Sequence, residues 1–310
     1  MRVLDIGVVS YKNPDKLRAT LASIEQQSTT DWRCLIFHNP AKGPEDSQAR
    51  EVAREACSRN SRFSLFEMSE NVGYVGGVNA FFDRAETEYL AYCDNDVELR
   101  TNGWDEALCA ILDANPECGQ VFPGSGHYGF FNGRYHECLW NAGYCWILRR
   151  QALDKLALVD GKYRRGNPPG CLDTSLGHHE EVDLMIRLRF AGYQIGCRPD
   201  VKVLHHETAT QSDSAVHRPG GRIHDGVVRW MNKWNGYFCG DQLEYSMTAY
   251  DSRALRYTDW NVCALYLERM TLHYFPQWNS TPRTVMVPGV GDMDVVEVLK
   301  PKDCYKRRAI

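Results

Sequence analysis

An α/β fold, built on a mostly parallel sheet with helices on both faces, is what this 310-residue chain predicts. Short apolar runs alternate with amphipathic stretches over the first hundred residues, the order expected of strand–helix–strand units. The strand-like runs are short and mainly apolar, as in a sheet covered on both faces. A hydrophobic fraction of 43% with no low-complexity tract supplies enough apolar surface for a real core. The length fits one large α/β domain, or one medium domain with a smaller addition.

Taken in order, residues 3–10 (Val3-Leu4-Asp5-Ile6-Gly7-Val8-Val9-Ser10) form the first strand. Asn13-Pro14-Asp15 opens a helix, with Asn13 as N-cap, Pro14 at the first helical position, and Leu17, Leu21 and Ile24 as its apolar stripe. A second strand spans 33–38, and a loop with Pro40, Gly43 and Pro44 leads to a helix near 47–58. Residues 63–67 give a third strand, 79–85 a helix, and 88–93 a fourth strand that runs into Asp94-Asn95-Asp96. Past residue 120 the pattern loosens into Gly-rich and aromatic segments, until a helix returns at 180–191 and a strand at 201–204. Residues 212–226 read as a long mobile loop. Trp230, Trp234, Tyr237, Phe238, Trp260, Tyr266 and Tyr274 then mark an aromatic-rich, mainly helical C-terminal extension.

Composition excludes several classes. A net charge of −4 gives no overall basic field for nucleic acid, and the basic cluster from Lys300 to Arg308 reads as a solvated tail. The opening MRVLDIGVVSYK does not read as a signal peptide, and no apolar run is long enough to cross a bilayer, so a cytoplasmic protein is expected. Twelve scattered cysteines without a CxxC pair read as reduced thiols.

In a parallel sheet, ligands bind beyond the carboxyl ends of the strands, so the loops after Val9, Phe37 and Cys93 come first. Asp94 and Asp96 are one residue apart at a strand end. If the chain bends there, both can face a hard cation that keeps open positions for diphosphate oxygens. The plain alternative is a polar turn. Asn71-Val72-Gly73-Tyr74-Val75-Gly76-Gly77-Val78-Asn79 lets backbone approach a ligand and opens a helix whose N-terminus favours anions. It reads equally well as an ordinary helix start. His178-His179-Glu180-Glu181-Val182-Asp183 begins another helix. Its carboxylates either complement the helix dipole or supply a general base. His205-His206 follows the last strand and offers an imidazole to the same cation. Trp140, Tyr144 and Trp146 suit either stacking on an acceptor sugar or base, or core packing.

The order and spacing of these segments resemble the inverting GT-A glycosyltransferases of the family 2 type, especially the rhamnosyltransferase-like members. The resemblance is carried by Val8-Val9-Ser10-Tyr11-Lys12, by Asn71-Val72-Gly73 with Gly76-Gly77-Val78-Asn79, by Asp94-Asn95-Asp96, and by Glu180-Glu181-Val182-Asp183-Leu184 with Arg187 and Gly192-Tyr193. It implies a Rossmann-like GT-A domain over 1–210, with a nucleotide-sugar half at 1–100 and an acceptor half at 101–210, followed by the extension at 211–310. It also implies a nucleotide-sugar donor, Mn²⁺ or Mg²⁺, and an acceptor glycan or other hydroxyl-bearing molecule; a modified nucleobase in DNA is compatible but not favoured.

The site residues so implied are Ser10, Tyr11, Asn39, Asn71, Gly73, Gly77, Asn79, Asp94 and Asn95 toward the donor; apart from the resemblance, Trp146 is expected as an acceptor contact by stacking. Asp94 and Asp96 take the metal with His205 or His206. Glu181 is the catalytic base, with Glu180 and Asp183 as competitors. Two positions depart from the family pattern. Asn39 stands where an Asp often contacts the nucleobase, and the base is a Glu, one methylene longer than Asp. The rival readings are a catalytically inactive glycosyltransferase-like scaffold and a nucleotidyltransferase. The latter lacks support because Ser10-Tyr11-Lys12-Asn13 contains no glycine.

Overall fold

The computed structural model describes residues 3–124, 130–138, 141, 143–159, 172–206, 226, 229, 284–287 and 291–294. The chain divides into two compact units, Met1–Ser212 and Asp213–Ile310. In the first unit the elements run β1 (Val3–Ser10), α1 (Pro14–Gln27), β2 (Asp31–His38), α2 (Pro44–Arg59), β3 (Phe63–Glu67), α3 (Gly73–Arg84), β4 (Tyr89–Asp94) and β5 (Val97–Leu99). Then come α4 (Trp104–Ala114), β6 (Cys118–Pro123), β7 (Phe130–Phe131), β8 (His136–Glu137), β9 (Cys145–Arg149), α5 (Arg150–Val159), α6 (Glu180–Phe190), β10 (Gln194–Arg198) and β11 (Val203–His205).

A nine-stranded sheet in the order β3-β2-β1-β4-β9-β6-β10-β8-β7 forms the centre. The first four strands are parallel. β9 is inserted antiparallel between β4 and β6, and β10 returns parallel to β6. β1 is buried from Leu4 to Ser10, as expected of a strand covered on both faces. Leu17, Leu21 and Ile24 of α1 are buried together with Leu4, Ile6 and Val8 in one core cluster, the stripe that the sequence shows.

Several boundaries differ from the sequence expectation. Asn13 does occupy the N-cap of α1, but in the left-handed region (φ 49°) and with no side-chain cap bond. α3 starts at Gly73, so the Gly-rich segment is the body of the helix and not a loop before it. Tertiary packing overrides the poor helix propensity of glycine here. A Cβ on Gly77 would lie 2.7 Å from Val9, and one on Gly7 would lie 2.5 Å from Phe81. Small residues on both sides let α3 press against β1.

β5 and β11 make a separate two-stranded antiparallel sheet, with His205 opposite Val97. It sits directly after β4 in the chain and brings residue 205 back to residue 97. The second unit contains an antiparallel hairpin, β12 (Thr284–Val287) with β13 (Gly291–Asp294). Trp140, the aromatic residues from Trp230 onward, the 212–225 part of the expected loop and the basic tail lie outside the described residues. Among the described residues, no helix is long and apolar enough to cross a membrane.

Candidate functional site

β4 delivers Asp94 to the carboxyl edge of the sheet, where the chain turns through Asn95 and Asp96 before β5. That turn places two carboxylates side by side. The Asn95 amide donates to the Tyr11 carbonyl (3.1 Å), tying the turn to the loop after β1. β11 adds His205, whose Nε2 lies 3.3 Å from Asp96 Oδ1 and 3.9 Å from Asp94 Oδ2. One ligand atom from each of Asp94, Asp96 and His205 falls within a 4.8 Å cluster. Two hard carboxylate oxygens and one imidazole nitrogen suit Mn²⁺ or Mg²⁺.

His206 does not join them. Its Nε2 faces Glu98 Oε1 at 2.5 Å, and its backbone N–H donates to the Asp96 carbonyl (2.9 Å). The two rings thus have different partners: His205, the last residue of β11, faces Asp94 and Asp96, and His206, just past the strand, faces Glu98.

Electrostatics at the turn disfavour a bare carboxylate. Burial is the main cause that pushes the Asp94 carboxyl up to about 7; the Tyr92 hydrogen bond and His205 pull it down, while Asp96 and Glu181 push it up. The Asp94 side chain keeps 28% of its surface open, so the group lies in a cleft and not in the sealed core. A cation here would relieve the crowding of carboxylates.

The Tyr92 hydroxyl donates to Asp94 Oδ1 at 2.8 Å, and burial holds that phenol well above its usual range, so it stays a donor. Tyr144 stacks on the His205 ring (centroids 4.6 Å apart), and its carbonyl accepts from Asp94 N–H (2.8 Å). Neither role is visible in a motif. Tyr92 could have been found by period, since two residues before Asp94 in a strand it shares that face.

On α6 the three candidate carboxylates separate. Glu181 acts electrostatically on Asp94, Tyr74 and Tyr92, which places it at the cleft. It fits against Gly143, where a Cβ would come within 2.3 Å of its Cγ. Asp183 is fully buried and paired with Arg187 (2.9 Å), one helical turn on. Glu180 is buried as well.

Several side chains expected to meet the donor are committed elsewhere. Ser10 is fully buried, its hydroxyl 3.2 Å from His38 Nδ1. The Asn39 amide accepts from Val72 N–H (3.1 Å) and donates to the Gly73 carbonyl (2.9 Å), which locks the start of α3 to the end of β2. Asn79 clasps Leu172 through both its N–H and its carbonyl. Gly77 serves helix–sheet contact with Val9. Trp146 is 1% exposed and stacks on Tyr92, so it packs the core and meets no acceptor in this arrangement. Tyr11, Asn71 and Gly73 remain on the surface; Asn71 accepts from Gly73 N–H (2.9 Å) and shapes the left-handed turn there (φ 70°).

A family model described as glycosyl transferase family 2 matches residues 5–164, a little over half of the chain. The chain belongs to this family. Its match takes in β1 to α5, and therefore the Asp94–Asp96 turn, while α6 and β11 follow it. The fold is the GT-A fold of these enzymes. Mannosyltransferase PcManGT from Pyrobaculum calidifontis, solved with GDP-Man and Mn²⁺, superposes with a TM-score of 0.56 at 14% identity, over 74% of this chain and 64% of that one. GalNAc-T7, solved with UDP, GalNAc and Mn²⁺, gives 0.54 at 12% identity, over 66% of this chain and 43% of its own. At such identities the likeness concerns the fold. A teichoic acid poly(glycerol phosphate) polymerase of Staphylococcus epidermidis is 30% identical over 99 residues, which is 32% of this chain and 13% of the polymerase. The family 2 chain therefore spans less than two thirds of the length of each of these relatives.

Proposed function

We propose that this family 2 chain is a metal-dependent, inverting glycosyltransferase that moves a sugar from a nucleotide-sugar to an acceptor hydroxyl. The observation that carries this reading is the convergence of Asp94, Asp96, His205 and Glu181 on one cleft at the carboxyl edge of the sheet. Residues 1–100 would bind the donor and 101–210 the acceptor, with 211–310 as an addition. The acceptor is a glycan or another hydroxyl-bearing molecule.

In the reaction, Glu181 accepts the proton of the acceptor hydroxyl. The acceptor oxygen bonds to the anomeric carbon from the face opposite the nucleotide, and the bond from that carbon to the diphosphate oxygen breaks. The nucleoside diphosphate leaves with the electron pair, and the anomeric configuration inverts. Asp94, Asp96 and His205 would hold a divalent cation; when bound, it supplies Lewis-acid neutralisation of the leaving diphosphate, worth several kcal/mol. Tyr92 orients Asp94 through its hydrogen bond, and Tyr144 supports the His205 ring by stacking. Two fold neighbours were solved with Mn²⁺ and with GDP-Man or UDP, which supports the same classes of ligand here.

The test is a panel of UDP-, GDP-, dTDP- and CMP-sugars with Mn²⁺ or Mg²⁺, following nucleotide release by slow donor hydrolysis. Release from one donor, abolished by EDTA and by Asp96→Ala, is the expected result, and the anomeric configuration of a transfer product then reads the stereochemistry. No release and no calorimetric binding of any donor would leave a glycosyltransferase-like scaffold instead.

A further inference from the structure

His205 reaches the cleft from a strand of only three residues, β11, whose sole partner among the described residues is the equally short β5. A two-stranded sheet of this length is marginal by itself. Yet a ligand to a cation must be held to within a few tenths of an ångström. The contacts that do this gather on the next residue. His206 N–H donates to the carbonyl of Asp96, itself one of the three grouped residues (2.9 Å). The His206 carbonyl accepts from Lys16 Nζ of α1 (2.9 Å), and its ring meets Glu98 Oε1 (2.5 Å). The other Glu98 oxygen pairs with Arg100 (2.5 Å).

We propose that His206 is a positioning residue: with Glu98 and Lys16 it forms a latch that fixes His205 for cation binding, and it keeps Glu98 out of the coordination sphere. This rests on the metal reading given under Proposed function. Both Glu98 oxygens are engaged, so a third acidic residue within two positions of Asp96 is withdrawn from the cluster. His206 and Glu98 are 35% and 21% exposed, so their pairing adds little to global stability. Its effect is local. The adjacent histidines divide the labour: one faces the cleft and the other holds the strand that carries it.

The experiment measures Mn²⁺ affinity of the full chain by electron paramagnetic resonance of free Mn²⁺, with melting followed in parallel without metal. His206→Ala and Glu98→Ala should each weaken Mn²⁺ binding about tenfold, the range for residues that orient a ligand. The double variant should weaken it no further than either single one, because the two act through one contact. His206→Gln, whose amide N–H can still donate to Glu98, should recover most of the affinity, and the metal-free melting temperature should stay that of the wild type. Wild-type affinity in both single variants overturns the latch, as does a metal-free melting temperature that falls in step with the affinity. Total loss in His206→Ala, matching His205→Ala, overturns it by making His206 a ligand. A wild-type chain that takes up no Mn²⁺ sinks the metal reading itself and the latch with it, whereas uptake that the variants do not change sinks the latch alone.

Discussion

Glu181 and Asp183 stand two positions apart on α6, and the helical turn sends them to opposite surroundings. Glu181 faces Tyr74, Tyr92 and Asp94, while Asp183 is sealed against Arg187, itself 9% exposed. Their substitutions should separate cleanly. Glu181→Gln keeps the size and the hydrogen-bonding capacity but cannot take a proton. We expect kcat to fall about 10²–10⁴-fold with donor affinity and melting temperature unchanged. Asp183→Asn removes the carboxylate charge that the buried Arg187 guanidinium meets at 2.9 Å, at a cost of about 3–5 kcal/mol in urea unfolding, while the folded fraction turns over normally. The reverse pattern, an inactive but fully stable Asp183→Asn, would transfer the base role to Asp183. In the sequence, only the family resemblance favoured Glu181, with Glu180 and Asp183 left as competitors. Spacing on a helix shows which residues share a face, but the acidic stretch from Glu180 to Asp183 does not show that Arg187 claims one member. The same holds for His205 and His206, whose partners lie about a hundred residues back in the chain.

Among the elements, the four parallel strands were legible because each is a short, mainly apolar run bounded by polar turns. β9 was not, since its short run Cys145–Arg149 begins inside the Gly-rich and aromatic segment Gly143–Trp146, where the strand pattern is lost. α3 was read too short because its glycines lower helix propensity; what they serve is contact across the interface with β1. Gly77→Ala tests this. Its methyl would meet Val9 at 2.7 Å, so overpacking should cost about 1–3 kcal/mol by denaturant unfolding, and Val9→Ala should restore part of the loss. β6 carries the opposite kind of feature. Gln120 is fully buried, and among the described residues neither its amide nitrogen nor its amide oxygen has a hydrogen-bond partner. Gln120→Met keeps the length and removes the desolvated amide, so stability should rise by about 1–3 kcal/mol. A loss instead would mean that water or substrate satisfies the amide in solution.

At the scale of the whole molecule, two buried histidines make stability depend on pH. Burial is the first cause that lowers both His38 and His179, the latter well below its usual 6.5. The folded state therefore resists protonation that the unfolded chain accepts, so their contribution is fully present above about 6.5 and is lost as pH falls toward the folded values. Asp94 works in the other direction: held up to about 7, it penalises the fold near neutrality and is relieved on acidification. The two effects overlap between pH 7 and 5, so a wild-type melting curve alone cannot apportion them. His179→Asn can. His179 precedes α6 in the left-handed region (φ 65°), a conformation that Asn tolerates, and Asn is a good N-cap. The variant removes the titrating ring without forcing the backbone to move. Melting temperatures measured from pH 8 to pH 5 should fall less steeply below 6.5 in His179→Asn than in the wild type, whatever the constant offset from lost packing. Parallel curves would show that His179 keeps its proton balance on folding, and would move the acid sensitivity to His38, where the ring bridges Ser10 and Asp46 and ties the carboxyl ends of β1 and β2 to α2.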